Sequence, residues 1–162
     1  MGQLKAINMK AESNHYIIPD SYVKVYHTTF KTVYVDESAK ILLILWNLKS
    51  ANISAEEYKE DDLYNSVLVG KYDIEYFISD VTHNKFNITP ELQLWYADEA
   101  MKKLEETGLL RCGIIMDADL NMLGSLEEIA SNVLRRNGFQ KIPHRFFKNL
   151  DEALKWRGNS SK

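Results

Sequence analysis

The sequence predicts a mixed α/β domain, an antiparallel β-hairpin or meander followed by alternating helices and strands. Three observations carry that prediction. Residues 22–36 alternate apolar and polar side chains with period two. Beyond Trp46 the apolar residues recur at helical spacing, and short dense apolar runs separate the helical segments. The chain has 162 residues, 45% of them hydrophobic, a length that suits one domain burying roughly 68–70% of its unfolded surface.

Residues 1–20 read as a polar, partly ordered extension with a small apolar knot, Tyr16-Ile17-Ile18, closed by Pro19. The domain proper is expected over 21–158, with a flexible tail over 159–162. Tyr22, Lys24, Tyr26 and Thr28 alternate with Val23, Val25 and His27, as in a half-buried strand. Thr32 to Asp36 repeats the style, Glu37-Ser38-Ala39 makes a polar turn, and Lys40 to Trp46 is the continuous apolar run of a central strand. Ser54 and Glu57 form a capping box, and Ile53 and Tyr58 take the positions of a hydrophobic staple. A helix from about Ala55 to Val69 follows, ending at Gly70.

Ile74 to Ser79 is the next strand, with Asp80 at its carboxyl end. Thr89-Pro90-Glu91 then supplies an N-cap, a proline at the first helical position and an acid in the first turn of a helix reaching about Thr107. Leu110 to Met116 is a buried strand. Ser125 and Glu128 cap a helix carrying Leu126, Ile129, Ala130, Val133 and Leu134 on one face; Phe139 to Phe147 is the last strand, and Asn149 caps a short helix to Trp156. Strands alternating with helices after an antiparallel start imply later strands that are parallel and joined by right-handed crossovers.

A net charge of −3 leaves no basic footprint for nucleic acid. The longest dense apolar run, Ile41 to Trp46, is strand-sized, well short of the ~20 residues that span a bilayer. The first ten residues lack the apolar stretch of a secretory signal, and single Cys112 makes no disulfide framework. A cytoplasmic protein is expected. Asp117 and Asp119 follow a buried strand in the Asp-x-Asp arrangement that haloacid-dehalogenase-like phosphatases build around magnesium. Here Leu120-Asn121 stands where that family has Gly-Thr, so the pair reads as turn-forming acids. Asp80 joins them at the same sheet edge as a weak alternative metal set. His83, beside Thr82 and Ser79, is the histidine best placed for chemistry, yet no nucleophile elbow or phosphate-cradling loop surrounds it. No catalytic residue, metal or cofactor is assigned.

In the helix starting at Thr89, Leu94, Ala97, Met101 and Leu104 form one stripe with Ala100 beside it, expected to face the sheet. Leu92, Trp95 and Tyr96 fall on another side within an arc of about 100° and mark either a covered contact or an exposed binding face.

The stretch Tyr76-Phe77-Ile78-Ser79-Asp80, then Ile88-Thr89-Pro90-Glu91 and Trp95, resembles the central segment of small bacterial STAS-like proteins. This is the SpoIIAA-like group related to anti-sigma-factor antagonists and, more loosely, to CRAL-TRIO lipid-binding domains. The hairpin 32–46 and the closing Phe147 to Trp156 fit the same pattern over about residues 22–157. The resemblance implies a mixed sheet of four to six strands with helices mainly on one face. It also implies a regulatory serine at the start of the helix after the third core strand, in an Asp-Ser-Ser-Gly context. Thr89 holds that position here, with Ile88 before it and Pro90-Glu91 after it, so it is a candidate phosphorylation site whose simpler role is an N-cap.

The leading functional expectation is a non-enzymatic signalling or protein-interaction domain of STAS type. Its unidentified protein partner would meet the amino end of the Thr89 helix and the Leu92, Trp95 and Tyr96 face. The alternative is a module for a small hydrophobic ligand or lipid, with Tyr76, Phe77, Phe86 and Trp95 lining the site and His83 nearby. Exposed aromatic faces and sheet edges would also serve a homodimer. A metal-dependent phosphohydrolase is the least favoured reading.

Overall fold

The computed structural model describes residues 18–86, 89–117 and 142–156. They form a six-stranded mixed sheet in simple sequence order: β1 Val23–His27, β2 Lys31–Asp36, β3 Ile41–Trp46, β4 Tyr76–Asp80, β5 Arg111–Ile115 and β6 His144–Phe147. The first three strands are antiparallel neighbours, and β3 to β6 run parallel. The mixed α/β class and the antiparallel-then-parallel order are therefore those expected. The predicted helix over 126–134, Asp119, Ile88 and the first part of the last predicted strand lie outside the described residues.

The β2–β3 hairpin is locked by Asp36, whose carboxylate accepts from Ser38 Oγ at 2.8 Å, Ala39 N at 3.0 Å and Ser21 Oγ at 2.8 Å. In β1 the strict alternation fails. The register with β2 slips between Lys24 and Tyr26, so Tyr26 stands opposite Val33 instead of sharing the Lys24 side. One extra residue in a bulge moves everything after it to the other face.

Helix α1 is Ala55–Lys71, two residues longer than expected; Gly70 lies inside it, not beyond its end. Its amino end carries the predicted capping box, with Ser54 Oγ accepting from Glu57 N at 3.1 Å and Ser54 N donating to Glu57 Oε1 at 3.2 Å. Helix α2 has three parts: α-helical Pro90–Trp95, a π turn Tyr96–Ala100 and α-helical Met101–Glu105. Helix α3 is Leu150–Lys155, with Asn149 accepting from Glu152 N at 2.9 Å.

Alternation along the central strands divides the core in two. Leu42, Ile44, Trp46, Phe77 and Cys112 face α1 and α2. Leu43, Leu45, Tyr76, Ile78 and Ile115 face α3, with Ile18 closing that side. Right-handed crossovers that add parallel strands in one direction place each connecting helix on the same side. Helix α3, which follows β6, packs on the opposite face. There Tyr76 Oη donates to Ala153 O at 2.6 Å, and Trp156 meets the Tyr76 ring edge-on at 5.7 Å. Gly113 makes room for that ring, because a Cβ on it would sit 2.7 Å from Tyr76 Oη.

Candidate functional site

The carboxyl ends of β3 and β4 form a rim with two layers. The outer layer is aromatic. Phe30 stacks on Trp46 at 6.0 Å, Trp46 on Tyr58 at 6.0 Å and Tyr58 on Phe86 at 4.8 Å, a ladder of rings from the β1–β2 turn to the loop after β4. Trp46 Nε1 donates to Ser79 Oγ at 3.2 Å, which fixes the indole across β3 and β4 and occupies one of the hydroxyls near His83. Lys85 N donates to Ser50 Oγ at 2.7 Å and ties the loop after β4 to the 3-10 turn Leu48–Asn52. Leu48 in that turn is 59% exposed, and Leu94 on α2 is 46% exposed.

The inner layer is charged, and nothing in the sequence reading singled it out. Lys31, paired with Trp46 at the end of β3, is fully buried. Its ammonium is ion-paired with Asp61, donates to Asn65 Oδ1 at 2.8 Å, and lies 5.7 Å from the Tyr26 ring centre and 5.6 Å from that of Trp46. Tyr26 Oη also donates to Asp61 at 3.4 Å. Burial pushes the Lys31 ammonium below the usual lysine range, with Asp61 pulling the other way. A signal was present: Tyr58, Asp61, Asn65 and Leu68 share the buried face of α1, so two of its inward positions are polar. Polar residues on a buried stripe need partners brought by tertiary structure.

Thr89 is the N-cap of α2, accepting from Leu92 N at 3.3 Å, with Pro90 and Glu91 in the first turn as expected. The faces of α2 differ from the predicted ones. Leu92, assigned to the binding face, is in the core at 4% exposure, and Leu94, assigned to the sheet-facing stripe, points outward. Ala97, Ala100, Met101 and Leu104 are buried as expected. The cause is the π turn, which inserts one residue and rotates everything before it by about 100° relative to a continuous α-helix.

Trp95 and Tyr96 are half-buried against the α1–α2 core, and Lys59 Nζ lies 5.8 Å from the Trp95 ring centre. Tyr96 Oη is bonded to His144 Nε2 at 3.2 Å. His144 Nδ1 donates to Ile142 O at 3.0 Å, which makes Nε2 the acceptor of a neutral ring and Tyr96 the donor. Burial pushes that imidazole down to about 4, with the Ile142 carbonyl opposing. Phe86 is half-buried on Tyr58, and His83 is half-buried in the turn after β4.

Tyr76 does not join Phe77, Phe86 and Trp95. Consecutive residues of a strand face opposite sides, and Tyr76 belongs to the α3 face. Asp80 is buried and accepts from Thr82 N at 2.9 Å, shaping the turn after β4. Asp117 is exposed. Among the described residues no cluster of three His, Cys, Asp or Glu could hold a metal ion, and no helix is long and apolar enough to cross a membrane. Cys112 is buried, and burial first, then the nearby Asp62 charge, push its thiol up.

In comparison with known proteins, no family model, no curated protein and no solved structure matches the chain.

Proposed function

We propose that this chain is a non-catalytic interaction module of the STAS, SpoIIAA-like kind, engaging a partner protein through the rim at the carboxyl ends of β3 and β4. The observation that carries this reading is the rim's surface. Leu48 and Leu94 point outward from its connections while Phe86 and Trp95 remain half-buried there. Apolar groups turned to solvent around partly covered aromatic rings are the usual composition of a binding surface. The element order and the position of Thr89 at the head of α2 support the family part of the reading. In this module a phosphate on Thr89 would replace the N-cap hydroxyl, meeting the positive helix end beside the negative Glu91.

The test is a pull-down with the intact chain and with Leu48→Glu and Leu94→Glu. Both positions are exposed, so the variants should melt within about 0.5 kcal/mol of the parent. Loss of the captured partner set from both variants is expected; an unchanged set overturns this use of the rim.

A second reading, a small-ligand module, is favoured by the half-buried Phe86, Trp95 and Tyr96 against one core face. Native mass spectrometry separates the two, since this reading expects a stoichiometric bound mass and the first expects none.

A further inference from the structure

Three ionisable groups meet between β2 and α1: Lys31 on the strand, and Asp61 and Asp62 at consecutive helix positions. If all were ionised, their charges would sum to minus one inside a wall of aromatic rings, where an uncompensated charge is costly. The single ammonium is committed to Asp61 and to Asn65 Oδ1. Asp62 receives one donor, Asn65 Nδ2 on Oδ1 at 3.1 Å, and its Oδ2 is buried without a hydrogen-bond partner. A carboxylate placed this way lacks the donors its charge requires; a carboxylic acid has no charge to compensate.

We propose that in mildly acidic solution Asp62 is a protonated carboxylic acid in the folded chain, so that a bound proton balances the cluster and links the docking of α1 to proton uptake. The groups facing the cluster among the described residues supply no second cation. Tyr26 comes from β1 and bonds to Asp61. Tyr58 on α1, Tyr96 on α2 and Cys112 on β5 face Asp62 as neutral groups. Burial pushes each of them up, and the Asp62 charge adds to that push. His144 on β6 is neutral and bonded on both ring nitrogens. Burial raises the Asp62 carboxyl to about 6, against the pull of Lys31 and Asn65.

The sign follows from the raised value. Below about pH 4 both folded and unfolded chains hold this proton. Between about 4 and 6 only the folded chain holds it, so the contribution to folding fades as pH rises through that window and is level above it. This proposal is independent of what the rim binds.

The experiment is a carbon-13 titration of the side-chain carboxyls in the intact wild-type chain, paired with urea unfolding of wild type and Asp62→Asn from pH 4 to 8. The Asp62 carboxyl carbon should titrate near pH 6. The folding constant of Asp62→Asn relative to wild type should rise about tenfold per pH unit from 4 to 6 and then hold steady. An Asp62 midpoint in the ordinary range near 4, or a ratio independent of pH, overturns the proposal. Should the variant not fold, the wild-type titration decides alone.

Discussion

On the α3 face of the sheet the buried Tyr76 hydroxyl ends on a backbone carbonyl, Ala153 O at 2.6 Å, and its ring packs against Trp156 and the Arg111 guanidinium. On the α1–α2 face, Lys31, Asp61, Asp62 and Asn65 lie under the aromatic ladder, and one carboxyl oxygen has no partner. The same six strands support both sides. On the α3 face the Tyr76 hydroxyl is met by backbone, and the buried acids Asp36 and Asp80 lie at strand ends, where backbone and serine donors bond to them. The α1–α2 face meets its demand with side chains whose charge depends on pH, and that same face carries the rim and its outward leucines. A sheet can thus hold the acids of one face on donors at its strand ends while the other face carries an ion-paired cluster between strand and helix.

The sharpest way to break this comparison is Lys31→Met. It leaves the buried Asp61 carboxylate and the half-buried Asp62 without their cation, and about 3–5 kcal/mol should be lost, read from the urea midpoint at pH 7.5. Part of that loss should return at pH 5, where the Asp62 carboxyl can neutralise. Next comes the α3 face, where Gly113→Ala forces the Tyr76 ring from its bond with Ala153, costing about 1–3 kcal/mol. Tyr76→Phe alone should cost about 1 kcal/mol. Because removing the hydroxyl removes the closest clash, the double variant should fall short of the sum, and a double-mutant cycle measures the shortfall. Neither α3-face change should alter the pH dependence between 4 and 6.

Tyr96→Phe tests the α1–α2 face more gently. It strands His144 Nε2 without its donor, and about 1 kcal/mol should be lost by thermal melting. Smallest, Ser54→Ala opens the capping box at the exposed head of α1. The expected cost is about 0.5–1 kcal/mol, with no change in the titration of Asp62.

Most of the fold was legible because it rests on local rules. The strand runs, the Ser54–Glu57 box, the Thr89 and Asn149 caps and the change of period after Trp46 each reflect neighbours within a few residues. The partial failures have the same form. The bulge before Tyr26 and the π turn at Tyr96 each insert one residue, and an insertion leaves the pattern on either side intact while shifting its phase. That shift exchanged Leu92 and Leu94, so one of the three residues of the expected binding face went into the core. Tyr76 was different, since the period-two rule already separated it from Phe77.

By itself the sequence determined the class of the fold and, among the described residues, the strand and helix positions and the helix caps, because backbone hydrogen bonding and side-chain periodicity act over short distances. Only the tertiary structure decided that Lys31 would meet Asp61, thirty positions further along the chain, that Tyr96 would find His144, and that Asp62 would be left with a bare oxygen. Electrostatic pairing in a core depends on which elements pack together, and that choice is made by the burial of every other side chain at once.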